Sequence, residues 1–241
     1  MSDINNENEI IKSSKYVPEI KGTLRSHMIN VPQVIRNASG IKVFGKRLKS
    51  FLFTTDIAVI KNTNADAIMA VYPFTPQPVI TEALVTASDV PVFCGVGGGL
   101  TMGKRVVNLA LDAEFKGAMG VVVNSPTSNE VIEAMRDTID IPIIVTVVSE
   151  YDDIQKRIEA GTTIINVSAG KRTAEVVRKI REKYEDLPII ATGGKNDEGI
   201  RETIEAGANA ISYTPPTTSE LFAVTMEKYR KMSVESNKKQ D

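Results

Sequence analysis

Between Ser50 and Tyr213 the chain alternates eight times between two textures, and no other feature constrains its fold as tightly. Short apolar runs rich in β-branched residues end in Gly, Ser, Thr, Asn or Pro. They are Ser50–Thr55, Ala67–Tyr72, Pro91–Val96, Ala118–Asn124, Pro142–Val148, Thr162–Val167, Pro188–Thr192 and Ala210–Tyr213. Their starts lie 17 to 27 residues apart, room for one crossover helix between successive parallel strands. The runs are nearly continuous in hydrophobicity, as strands covered on both faces are. The segments between them have helical spacing, as where Val176, Val177 and Ile180 form one stripe among charges. The first such segment, Asp56–Asn64, has room only for a brief helix. Eight units within residues 49–234 predict a single α/β domain, a closed (β/α)8 barrel of the TIM type. An open doubly wound sheet would carry a glycine-rich turn after its first strand, where this chain has Thr54, Thr55 and Asp56.

Residues 1–48 form an N-terminal extension and residues 235–241 a polar tail. Met1–Tyr16 is polar, reads as unstructured, and lacks the apolar centre of a signal peptide. Val31–Asn37 is amphipathic and Lys42–Lys49 basic. Together they predict a helix or hairpin that closes the bottom of the barrel, with a homodimer contact as the alternative. A net charge of -1, no tryptophan and 5% aromatics leave neither a basic field nor a stacking platform for nucleic acid. No apolar run approaches the ~20 residues that span a bilayer. One cysteine allows no intramolecular disulfide. These features predict a cytoplasmic protein that binds a small molecule.

Barrels of this type carry their sites on the loops at the C-terminal ends of the strands. The sharpest signal there is Thr192-Gly193-Gly194-Lys195 after the seventh run, followed by Tyr213-Thr214-Pro215-Pro216 after the eighth. Glycines let backbone N–H groups approach a ligand, and N–H groups at a helix start bind anions. The alternative is a tight turn. Pro188–Thr217 resembles the phosphate-binding half of the ribulose-phosphate-binding barrels, which include phosphosugar epimerases, indole-glycerol-phosphate-type and thiamine-pathway synthases, and keto-acid phosphate aldolases. The resemblance implies a phosphate held by the loops after the last two strands. It departs at Pro215 and Pro216, which have no N–H to donate.

Ile165–Lys171 resembles the sixth-strand region of class I aldolases, where a Schiff-base lysine can reside. Here Asn166 stands within the strand and Lys171 follows in the loop with Gly170. Lys171 is read as a charge partner for an anion, as an amine nucleophile, or as a surface lysine. Lys195 is read as a point charge beside the phosphate or as solvent-facing. Asp56 is a candidate general acid or base, or the cap of the first helix. Asn124, Asn166 and Ser168 are expected to orient the substrate. Glu150, in Ser149–Asp153, reads as a helix cap. Cys94, before Gly97-Gly98-Gly99, has no histidine to activate it, because the one histidine, His27, precedes the repeats. The same count excludes a dedicated zinc site and a Ser-His-Asp triad. The resulting expectation is an enzyme of lyase, isomerase or synthase type acting on a small phosphorylated or otherwise anionic metabolite, with no cofactor. FMN-dependent oxidoreduction, hydrolysis and ligand binding without catalysis are the alternatives.

Overall fold

The computed structural model describes residues 18–20, 22–23, 28–194 and 196–237. The expectations for Met1–Tyr16, His27 and Lys195 lie outside those residues. Each of the eight runs holds one barrel strand: β3 (Ser50–Phe53), β4 (Ala67–Ala70), β5 (Val92–Gly97), β6 (Gly120–Asn124), β7 (Ile143–Val147), β8 (Ile164–Val167), β9 (Ile189–Thr192) and β10 (Ala210–Tyr213). All neighbours are parallel, and β10 pairs with β3 to close the ring. Helices follow in turn: α1 (Ile57–Lys61), α2 (Pro78–Ala87), α3 (Lys104–Phe115), α4 (Asn129–Arg136), α5 (Ile154–Ala160), α6 (Thr173–Lys183), α7 (Asp197–Glu205) and α8 (Thr218–Asn237). The chain is a (β/α)8 barrel.

Side chains alternate across each strand, and the alternation separates two apolar clusters. Phe51, Met69, Phe93, Val122, Ile144, Ile164 and Ile190 fill the barrel. Their neighbours, among them Leu52, Ile68, Val121, Val145 and Ile165, face outward beneath the helices. Each fully buried side chain of this size contributes about 1.5–3 kcal/mol.

Two strands precede the barrel, β1 (Ile41–Val43) and β2 (Lys46–Leu48), and pair as an antiparallel hairpin. Ile41, Val43 and Leu48 join the interior cluster, so the hairpin plugs the N-terminal end of the barrel. Just beyond it, Asp66 ties β3 to β4. Its Oδ2 accepts from the Lys49 and Ser50 amides at 2.9 and 3.0 Å and from the Ser50 hydroxyl at 2.9 Å. The amphipathic Val31–Asn37 is a short 3-10 turn, Gln33–Asn37, packed against α7. Val31, Val34 and Ile35 are buried there with Val59 and Ile60 of α1. The final helix α8, by contrast, leaves Phe222, Val224 and Tyr229 exposed. No helix among the described residues is long and apolar enough to cross a membrane.

Candidate active site

Above the interior cluster, at the C-terminal ends of the strands, lies a cavity of about 470 Å³. Its lining follows from the strand alternation. Two residues beyond an inward aliphatic side chain, the next inward position is polar. Val122 is followed by Asn124, Ile144 by Thr146, Ile164 by Asn166, Ile190 by Thr192, and Ala210 by Ser212. Thr214 and Ser168 extend the polar arc into the loops, so it runs over five adjacent strands, β6 to β10. On the far side β3 and β4 supply an apolar wall of Phe53, Met69, Val71, Tyr72 and Pro73. Among the described residues no carboxylate and no cation lines the cavity.

Within the polar arc three side chains stand in register. Asn124 is the partner of Thr146 across β6 and β7, and Thr146 of Asn166 across β7 and β8. The Asn166 amide Nδ2 donates to Thr146 Oγ1 at 3.1 Å. Its Oδ1 has no hydrogen-bond partner among the described residues, although Asn166 is only 5% exposed. An unpaired buried acceptor costs about 1–3 kcal/mol, and one beside a cavity is completed by a donor that enters there, water included. The glycine loop after β5 leans on this row. Gly98 has φ +110, and a Cβ there would lie 2.6 Å from Asn124 Cβ, so only glycine fits.

Of the residues singled out from the sequence, Asn124, Asn166, Ser168, Thr192 and Thr214 line the cavity together. Gly170, Gly193, Gly194 and Tyr213 do not. Gly170, at φ +60, starts the 3-10 turn Gly170–Arg172 that carries Lys171. Lys171 is exposed at this rim and makes no ion pair among the described residues. Gly193 and Gly194 serve close packing. A Cβ on Gly193 would lie 2.8 Å from Ile211 Cγ2, and one on Gly194 would lie 2.7 Å from Gly199 Cα in α7. Tyr213 turns outward and packs against the cluster beneath the helices.

Asp56 is at the rim but outside the lining. Its Oδ1 accepts from the Ala58 and Val59 amides at 2.9 and 3.2 Å, capping α1, and its Oδ2 accepts from the Thr218 hydroxyl. This is the capping alternative of the two sequence readings, and it leaves no free oxygen aimed at the cavity. The Thr218 hydroxyl, with the Val59 and Ala58 amides, holds the carboxyl below its ordinary 3.8 against the opposing effect of burial. A depressed folded-state value adds stability above the unfolded value, and that stability is lost as pH falls through the folded one. Asp56→Asn keeps an acceptor for the cap and removes the charge. Its thermal deficit relative to the parent is expected to be present at pH 7 and to shrink as pH falls through the range in which the folded carboxyl takes up its proton. A deficit independent of pH would show that the Asp56 charge plays no part.

Glu150 is not a cap. Asp153 caps α5 by accepting from the Lys156 amide at 3.2 Å. Glu150 pairs instead with Arg172 and with Lys179, the latter at 3.2 Å. Cys94 is buried, and burial pushes its thiol up to about 12, far from a neutral-pH thiolate. The sequence reading passed over Phe53, Met69, Val71 and Ser212 as lining residues. Strand parity was the signal for all four.

No family model matches the sequence, and no curated protein matches it. Solved structures do. A phosphonopyruvate hydrolase is similar at TM-score 0.60 and 12% identity, over 85% of this chain and 87% of that one. Thiamine phosphate pyrophosphorylase from Pyrococcus furiosus is similar at 0.54 and 19%, over 68% and 84%. The 4-hydroxy-tetrahydrodipicolinate synthase of Methylacidiphilum fumariolicum is similar at 0.55 and 15%, over 72% and 69%. At these identities the likeness is one of fold: an eight-stranded parallel barrel with alternating helices.

Proposed function

We propose that this barrel is an enzyme of lyase, isomerase or synthase type acting on a small phosphorylated or otherwise anionic metabolite. The observation that carries the reading is the polar arc at the C-terminal mouth, with five adjacent strands each sending an amide or hydroxyl into one cavity. Barrel enzymes place their chemistry at that end. The structural neighbours named above bear the names of a hydrolase, a pyrophosphorylase and a synthase, which agrees with an enzyme on this scaffold.

The anion's place is constrained by charges already present. The first turn of α7 carries Asp197 and Glu198. The start of α8 is closed by Glu220, whose Oε2 accepts from the Thr217 amide at 2.7 Å and its hydroxyl at 2.9 Å. These carboxylates already occupy the positive ends of both helices. A phosphate therefore belongs deeper, on the hydroxyls of Thr192, Ser212 and Thr214, with Lys171 at the rim as the countercharge. A Schiff-base mechanism finds no support, because Asn166 stands where the lysine would be needed and Lys171 is solvent-exposed. The same carboxylates favour a second reading, an uncharged polyhydroxylated ligand that needs no anion site at all.

The test is a thermal-shift panel of phosphate, sugar phosphates, keto-acid phosphates, unphosphorylated polyols and FMN. A ligand at 100 times its Kd stabilises by about 2.7 kcal/mol. A shift with a phosphorylated compound that is lost in Thr192→Val supports the reading. A shift with polyols alone moves it to the uncharged ligand, and one with FMN alone to a flavin oxidoreductase. Thr192 is preferred over the adjacent glycines for this test because any side chain at Gly193 or Gly194 strikes Ile211 or Gly199.

A further inference from the structure

The polar arc is not uniform, and its hydrogen-bond polarity can be read atom by atom. Asn166 Nδ2 is committed to Thr146 Oγ1, which therefore accepts and keeps its own proton free to donate. Asn166 Oδ1 is an acceptor with no protein partner among the described residues, buried, on a residue that lines the cavity. Side by side on β7 and β8, the row thus holds one donor and one acceptor, the acceptor covered by its neighbours and reached by a ligand when the amide turns toward the cavity. A carboxylate or phosphate oxygen only accepts, so it would meet Asn166 Oδ1 lone pair to lone pair. A hydroxyl or an amide N–H would complete it. The Thr192 and Ser212 hydroxyls on β9 and β10, and that of Thr214 just beyond, can all donate and suit an anion.

We infer that the β7–β8 side of the cavity, through Asn166 Oδ1 beside the Thr146 hydroxyl, receives a neutral hydrogen-bond-donating group of the ligand, a hydroxyl or an amide, while the ligand's anionic end lies toward β9 and β10. This rests on the proposed binding of a small metabolite in this cavity and deepens it by fixing the ligand's direction. The wall of Phe53, Met69 and Tyr72 stands across the barrel from this row, because β3 and β4 are opposite β7 and β8 in the closed ring. A carbon skeleton laid against that wall presents its polar edge to Asn166. Asn166 is then a specificity-determining residue: it selects substrates with a donor at one end and rejects those with anions at both.

Binding to the full chain distinguishes the alternatives. Glycerol 3-phosphate and n-propyl phosphate share a phosphate and a three-carbon chain, but only the first carries hydroxyl donors. The first is expected to bind about tenfold more tightly, the effect of one hydrogen bond to a buried acceptor. In Asn166→Leu the two affinities are expected to fall within about twofold of each other, with n-propyl phosphate little changed. Equal affinities in the parent, or a preference that survives Asn166→Leu, would overturn the inference. So would tighter binding of 2-phosphoglycolate, whose carboxylate only accepts, since the amide would then present its nitrogen.

A second measurement separates this inference from the phosphate reading. The Asn166 side-chain amide signal in a ¹⁵N spectrum, identified by its loss in Asn166→Leu, is followed with glycerol and with 1,2-dimethoxyethane, an acceptor-only ether. A saturable shift with glycerol and none with the ether upholds the inference even if no phosphate binds, in which case only the phosphate reading falls. A shift with the ether alone, or with neither compound, overturns it.

Discussion

Phe51→Ala is expected to lower the stability of the barrel by about 3–5 kcal/mol in urea denaturation, the largest effect of any single substitution considered. Phe51 is fully buried and meets Phe93 edge to face, with ring centroids 5.1 Å apart and planes at 64°. Few neighbours can move into the space, because the closed ring fixes the strands around it. The same pair explains Gly120. A Cβ there would lie 2.6 Å from Phe93 Cδ1 and 3.0 Å from the Pro142 carbonyl oxygen. Gly120→Ala therefore pushes on Phe93 and is expected to cost about 1–3 kcal/mol. The two substitutions should not add. With Phe51 cut back, Phe93 has room to yield, so the double variant is expected to be more stable than the sum of losses by at least about 0.5 kcal/mol. Additivity within that margin would show that Phe93 transmits no strain between the two positions.

Arg157→Ala is expected to cost about 2–3 kcal/mol and to loosen the loop after β6. From α5, the Arg157 guanidinium reaches the Ser125 carbonyl at 2.7 Å, the Thr127 carbonyl, and Asn129 Oδ1 at 2.9 Å. One planar fork thus holds the chain just beyond Asn124. Arg157→Lys should recover less than half of the loss, because an ammonium cannot span three acceptors spread over five residues. Hydrogen exchange at residues 125–129 is expected to accelerate in both variants, more in the alanine. Unchanged exchange there would mean that the second tie, from Ser125 Oγ to Asp152 Oδ1 at 3.0 Å, suffices to hold the loop.

Much of this architecture was legible in the residues. Strand-forming runs at regular spacing, each closed by a turn former, located all eight barrel strands to within a few positions, because two-sided burial leaves an unbroken apolar signature. The plug was legible in part: Val31–Asn37 and Lys42–Lys49 predicted a helix or hairpin, and the apolar Ile41, Val43 and Leu48 that make it a hairpin were not singled out. The lining of the cavity was legible by half. Asn124, Asn166, Ser168, Thr192 and Thr214 stood out as polar residues at strand ends. Phe53, Met69 and Val71 did not, because an apolar side chain looks the same whether it lines a cavity or a core. Gly193 and Gly194 drew attention as an anion cradle, whereas their neighbours show close packing of a strand end against a helix. Glycine marks any close approach of backbone, and a sequence does not say what approaches. Asp56 had two readings from its position alone, and only the partners of its oxygens, on α1 and at Thr218, separate them.

The ring closes through β3 and β10, the first and last of its strands, with Phe51 opposite Ser212. As the chain is synthesised, β3 therefore waits for a partner encoded some 160 residues downstream. Until β10 is made, β3 and β9 each present an open edge of the kind that recruits other chains. The nascent barrel is thus most exposed to misassembly when it lacks only its last strand, with two open edges on one sheet. A cell that makes much of this protein has its greatest use for chaperone protection in the interval before β10 pairs.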